Sequence, residues 1–344
     1  MRRAYVLVSL GLSLLACLTP GCQKAPDYWE DAKAGQKRVL VTFPPLYAIT
    51  HAVAGENAYV LSLLSTTGPH DYDGAPTDLL KINKADLFIY NGLTLDDAFA
   101  DKMRRNQKNR NIVVLNVGEQ MEKKYDELLH KEEGHEKDKD HDRKNDKQDK
   151  HDHDGHGHDH KHGEHDPHIW LGPKQAQKMA DIIAQKLGEI DPTNKSSYEA
   201  RAKKFKDELQ KIEEDGKAAF KDKKNKNIVT MHEAFDYFAD AFGVKIVETI
   251  QKKPGTDPDA ASLARLRRIC KDQKVAVIAV EPQYSRVQAE ALQRNLNEDG
   301  IDVKIVTLDP LETAPIPEGK RNPDPGYYLK SMRENIETLA RALP

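Results

Sequence analysis

Eight short runs of apolar, β-favouring residues, set between stretches of helical periodicity, constrain this chain more than any other feature. The first half carries "RVLVTF" (38–43), "AYVLSLL" (58–64), "DLFIY" (86–90) and "NIVVLNV" (111–117). The second half carries "NIVTM" (227–231), "VKIVETI" (244–250), "VAVIAVE" (275–281) and "DVKIVTL" (302–308). Strands that are apolar on both faces and joined by helices belong to parallel sheets covered on both sides. The fold class expected is α/β, with two doubly wound domains, one in each half.

The segment between the halves from Pro192 onward, "PTNKSSYEARAKKFKDELQKIEEDGKAAFKDKK", is rich in helix formers. Tyr198, Ala202, Phe205, Leu209 and Ile212 fall on one narrow stripe, which predicts a single long helix packed through one face. Such a helix is a stiff connector, so the domains should be an N-terminal lobe at 38–190, the helix at 191–224 and a C-terminal lobe at 225–344. Within the first lobe, residues 119–167 form an insert of Lys, Asp, Glu and His. After Leu129 it has too few apolar groups to offset its ordering entropy, so it is expected to be exposed and disordered. Eleven of the fourteen histidines lie between His130 and His168. Closely spaced imidazoles on such a chain bind metal weakly and in many arrangements, whereas a specific site needs donors fixed by the fold.

The chain opens with Arg2 and Arg3, an apolar run from Ala4 to Ala16, and cysteines at 17 and 22. This pattern reads as a secretory signal in residues 1–22 rather than a spanning helix. A cysteine after a small residue at the end of that run resembles a bacterial lipobox, with Cys17 and Cys22 both candidates for acylation. The only other cysteine, Cys270, shares a helical face with Leu263, Leu266 and Ile269 and reads as a buried small hydrophobe, so no disulfide framework is expected. The 53 basic and 56 acidic residues are thoroughly mixed and give a net charge of −3, which argues against nucleic acid as a partner.

Ligands in open α/β folds bind at the carboxyl ends of the strands. Four metal-type residues fall there: His70 in "TGPHDYD", His168 in "DPHIWLGP", His232 in "VTMHEAF" and Asp309 in "VTLDPLE". Three imidazoles and one carboxylate suit zinc and are acceptable to manganese. The motifs "GPHDYD", "DPHIWLGP", "HEAFDYFADAFG", "VEPQYS" and "TLDPL", in this order and with the His-rich insert before the second, resemble the metal-receptor lipoproteins and periplasmic binding proteins of zinc and manganese ABC importers. The likeness runs from "VLVTFPPLYAI" to "YLKSMRENIETLARAL". It implies a bilobal metal receptor without catalysis, a site between the lobes, and a zinc cargo, with manganese possible. The ligand positions carry over to His70, His168, His232 and Asp309. It further implies an ABC permease partner with a separate ATPase subunit, a monomer, and a place in the periplasm or at the cell surface, held to the membrane by a lipid anchor.

Competing readings attach to several of these residues. Asp309 before Pro310 also suits a cap on a short turn. Glu281 ends a strand and reads as a support for a ligand rather than a ligand, and His51 as a partly buried polar residue. "HEAFD" (232–236) differs by one residue type from the H-E-x-x-H pattern of zinc proteases, with Glu233 and Asp236 in the remaining roles. A metalloenzyme is therefore the main alternative, and a metal-storing or adhesive surface lipoprotein is a third. Three histidines and an aspartate would fill a tetrahedron, while a catalytic zinc keeps an open position.

Overall fold

The computed structural model describes residues 26–70, 72–130, 165–251, 256 and 258–344. Residues 1–22, read above as a signal and lipobox, and the greater part of the His-rich insert lie outside them. All eight expected strands form, each slightly shorter than its apolar run. β1 (Lys37–Val41), β2 (Ala58–Ser62), β3 (Leu87–Tyr90) and β4 (Val113–Asn116) make a parallel sheet in the order β2-β1-β3-β4. β5 (Asn227–Thr230), β6 (Lys245–Thr249), β7 (Val277–Val280) and β8 (Lys304–Thr307) repeat that order as β6-β5-β7-β8. In each sheet the order reverses beside the first strand, which opens a crevice at the carboxyl ends.

The helices of the first half are α1 (Pro44–Ala54), α2 (Asp78–Ile82), α3 (Asp97–Asn106) and α4 (Val117–Tyr125). α5 (Pro173–Ile190) and α6 (Lys195–Phe220) follow, and then α7 (Asp236–Phe242), α8 (Ala260–Asp272), α9 (Val287–Glu298) and α10 (Tyr327–Ala342). Pro44 and Pro45 start α1 because their fixed φ suits the first helical turn. None of the helices among the described residues is long and apolar enough to cross a membrane.

α6 is the expected long helix. Its 26 residues span about 39 Å at 1.5 Å per residue, and all five residues of the predicted stripe are buried. Arg201 ties it to the first half, donating to the Val53 and Ala54 carbonyls at 2.7 Å each, where the negative end of the α1 dipole favours a cation. Gly216 admits the second half: a Cβ there would collide with the Phe242 ring of α7. One apolar cluster runs from Val39 and Phe88 through Phe205 to Phe238 and Tyr328, while a smaller one around Val229, Ile278 and Cys270 completes the second half. The helix is thus embedded in a shared core and cannot act as a loose hinge.

The insert is ordered further than its composition suggests. Residues 119–129 continue α4 and a 3-10 turn, with Met121 fully buried and the Asn116 side chain accepting from the Glu119 amide at 3.0 Å. His165, Asp166 and Pro167, also assigned to the insert, are buried as well. Cys270 is buried as expected, and burial pushes its thiol up to about 12. Half-buried His51 stands off the site beside Tyr47, and burial lowers its pKa.

Candidate metal centre

Three of the four expected donors meet. His70 and His168 approach Nε2 to Nε2 at 3.3 Å, and the three imidazole rings of His70, His168 and His232 have centroids 5.4, 5.5 and 5.7 Å apart. The fourth group is Glu312, not Asp309. Its Oε1 lies 3.3 Å from His70 Nε2, 3.4 Å from His168 Nε2 and 3.7 Å from His232 Nε2. A tetrahedron with metal–donor bonds of about 2.0–2.1 Å has edges of about 3.3–3.4 Å. Donor atoms of all four residues fall within 4.8 Å of one another, the one such group among the described residues.

Asp309 is turned to another task. Its Oδ1 accepts the Leu311 amide at 2.8 Å, while its own amide and carbonyl bond the Asn335 side chain of α10 at 2.9 and 2.7 Å. This is the cap that an Asp-Pro pair predisposes, and it bends the chain through Leu311, held at φ 64°, to bring Glu312 inward. Burial pushes the Asp309 carboxyl up to about 6 against the help of the Leu311 amide. A search for donors immediately after strands passes over Glu312 because it stands past this turn. The Asp309-Pro310 pair is the signal that the carboxylate after the strand is already engaged.

Two of the three histidines, His168 and His232, are fixed from behind. Asp166 Oδ1 accepts from His168 twice, from the backbone amide at 3.0 Å and from Nδ1 at 2.7 Å. The loop is pinned further by Asn91, at the end of β3, donating to the Pro167 carbonyl at 3.0 Å, and by Tyr237 donating to the Asp166 carbonyl at 2.9 Å. His232 follows β5 and its Nδ1 lies 2.6 Å from Glu281 at the end of β7, so Glu281 supports a ring as expected. With the Nδ1 edges held by carboxylates, both Nε2 lone pairs aim at the centre. His70 is the exposed member, its side chain 22% accessible against 3% for His168 and His232. The mouth of the site is therefore on its side.

The two halves close on this point directly. Ser65 and Ala314, in the loops after β2 and β8, exchange two hydrogen bonds of 2.6 and 2.8 Å, and Trp170 donates to the Pro310 carbonyl at 2.7 Å.

The electrostatics are those of a cation site. Burial pulls the His168 pKa down, but Asp166 and Glu312 outweigh it and push it up to about 10. Burial raises Glu312, yet His168 and His70 hold it well below the usual carboxylate range. Buried His232 Nε2 has no hydrogen-bond partner, and Glu312 Oε1 has only imidazole contacts of 3.3–3.7 Å without hydrogen-bond geometry, an expensive state that a cation between them relieves. The protease-like reading loses its geometry here. α7 begins only at Asp236, so His232 and Asp236 do not share a helical face.

Comparison with known proteins agrees with this geometry. Residues 39–342 match the family described as zinc-uptake complex component A, periplasmic. The chain belongs to this family. The high-affinity zinc uptake system protein ZnuA of Bacillus subtilis is 30% identical over 341 residues, covering 98% of this chain and 96% of that protein. The zinc-binding lipoprotein AdcA of Streptococcus pneumoniae is 29% identical over 98% of this chain, which spans 60% of AdcA. Among solved structures, a Zn(II)-bound variant of AdcAII from Streptococcus pneumoniae shares 26% identity at a TM-score of 0.68, covering 91% of this chain and all of that one. The laminin-binding protein Lmb of Streptococcus agalactiae, described as a bifunctional protein with adhesin and metal transporting activity, gives 28% and 0.67, covering 90% of this chain and all of Lmb.

Proposed function

We propose that this chain is the extracytoplasmic receptor of a zinc importer, binding one ion through His70, His168, His232 and Glu312 and delivering it to an ABC permease driven by a separate ATPase. The observation that carries the reading is the donor spacing of 3.3–3.7 Å around Glu312 Oε1. It suits tetrahedral bonds to zinc, and a majority of imidazole donors favours zinc over manganese. Four protein donors leave no open position for a substrate, so the ion is cargo and the chain is not a catalyst. The lobes at 38–190 and 225–344, joined by the helix within 191–224, follow the two sheets and α6. A lipid on Cys17 or Cys22 would keep this monomeric receptor at the outer face of the membrane. The test is metal analysis of purified wild type and His232→Ala: one tightly held zinc in the first and none in the second is expected. Equal zinc in both proteins refutes the assignment.

A further inference from the structure

The end of the first sheet remote from the metal centre carries charge that the receptor reading leaves unused. From Asp101 to Asn111 the sequence places Lys102, Arg104, Arg105, Lys108 and Arg110 against the single carboxylate of Asp101, in a chain of net charge −3. Arg104 pairs with Asp101 at 2.8 Å. Arg105, Lys108 and Arg110 are exposed and have no ion-pair partner among the described residues. The arginines rim an open cleft of about 520 Å³, floored by Ile112 and Val114 where edge strand β4 begins. The negative end of α3 accounts for a cation or two in its last turn, but not for Lys108 and Arg110 beyond it.

The start of the described chain lies at this same end. Asp27 pairs with Lys84 at 3.0 Å, neighbouring Asn83 accepts the Lys108 amide at 2.6 Å, and Asn109 donates to the Ala85 carbonyl at 2.7 Å. Of the other carboxylates there, Glu56 pairs with Lys33 and both Glu30 and Asp31 with Arg321, while Asp86, exposed just before β3, accepts only the Arg38 backbone amide at 2.8 Å, so the charge without an ion pair is three cations against one carboxylate. Pro26 stands four positions after Cys22 and nine after Cys17. Fully extended, those stretches reach about 14 Å and about 30 Å.

We propose that the Arg105–Lys108–Arg110 face docks on anionic lipid headgroups, parking the receptor with its metal mouth turned away from the bilayer. The proposal rests on the lipid-anchored reading above. The polarity follows from the sheet: the cleft is at the amino end of β4, whereas Asn91, which braces the His168 loop, is at the carboxyl end of β3, parallel to it. A parked receptor samples the surrounding medium, and delivery requires it to leave the surface, which a contact built only of exposed cations permits. Each cation near an anionic surface contributes about a five-fold preference, so three give roughly 100-fold, weakening as salt screens them.

The test uses the mature protein purified with any lipid it carries and reconstituted into vesicles of phosphatidylcholine, with or without phosphatidylglycerol. Hydrogen exchange is followed in peptides covering 102–114. We expect slowing of roughly tenfold or more with the anionic vesicles alone, lost in high salt and in an Arg105→Glu, Lys108→Glu, Arg110→Glu variant whose zinc affinity is unchanged. Equal protection on neutral vesicles, or protection that survives in the variant, overturns the proposal. So does equal protection by free glycerol phosphate in neutral micelles, since that marks a small-anion site and not a surface contact. Intact mass reports separately whether a lipid is attached. An unlipidated chain that still responds to anionic vesicles removes the anchor but keeps the docking face, and a lipidated one that does not respond does the reverse.

Discussion

Exchanging Glu312 for Gln separates the site seen here from the one the strand ends suggest. Glu312 Oε1 lies close to the Nε2 atoms of all three imidazoles, at 3.3, 3.4 and 3.7 Å. Four-ligand structural zinc sites bind with about 10–16 kcal/mol, so one ligand's share is about 2.5–4 kcal/mol, or roughly 100- to 1,000-fold in affinity. An opposing effect trims this. Glu312 is one of the two carboxylates that push His168 up to about 10, and that proton must leave before Nε2 can coordinate. Without Glu312 it leaves more easily, which returns part of the loss and sets the expectation near 100-fold. Asp309→Asn should stay within about tenfold, because it keeps an oxygen for the Leu311 amide and moves no donor. Competition with a chromophoric zinc chelator at fixed pH measures both constants. If Asp309→Asn lost the ion while Glu312→Gln kept it, the reasoning from donor spacing would be refuted.

Asp166→Asn and Glu281→Gln should each weaken zinc binding by about 10- to 100-fold while leaving the fold intact, as circular dichroism and the same titration will show, because each orients a coordinating ring; wild-type affinity in both would deny them that role. Zinc must displace the His168 proton, so apparent affinity should rise by up to about tenfold per pH unit from pH 7 and level off only as pH nears 10; a plateau already reached at pH 7 contradicts this. The same raised pKa adds stability to the metal-free protein that is complete below the unfolded value of about 6.5 and lost as pH climbs through about 10, so its melting temperature should fall over that range. Trp170 is fully buried with its ring 5.2 Å from that of His168, so Trp170→Phe should abolish the fluorescence response to zinc and Trp29→Phe should preserve it. Removing 131–164 and joining the ends with a short glycine linker should leave one tight site, since the Asp166 amide already bonds the His130 carbonyl at 2.9 Å; loss of tight binding would make the His-rich tract itself the receptor.

What can be read from the sequence follows from the range of the forces involved. The strands and the α6 stripe are legible because burial acts on local periodicity: Val39–Val41 and Val277–Val280 must be apolar whichever partner covers them. The three histidines are legible because parallel strands deliver their carboxyl ends to one place, and an imidazole there stands out from its neighbours. The same reasoning leads to Asp309 and not Glu312, since distance along the chain is a poor measure once a capped turn intervenes. The Asp309-Pro310 pair is the one local signal, and by itself it does not separate a carboxylate that bonds the next turn's amide from one that faces a cation. The difference lies in Asn335 on α10, which holds the Asp309 backbone at 2.7 and 2.9 Å from a position 26 residues later. The ordered rims of the insert escape a reading of composition for a related reason. Met121 and His165 are buried by surfaces that their own polar neighbours do not reveal, with His165 set 3.2 Å from Asp126 across the base of the tract. Composition reports whether a segment can form a core of its own, and it is silent on whether that segment can borrow one. Here the borrowed core reaches to within two residues of His168, and Asp166 within it is the group that aims the ring.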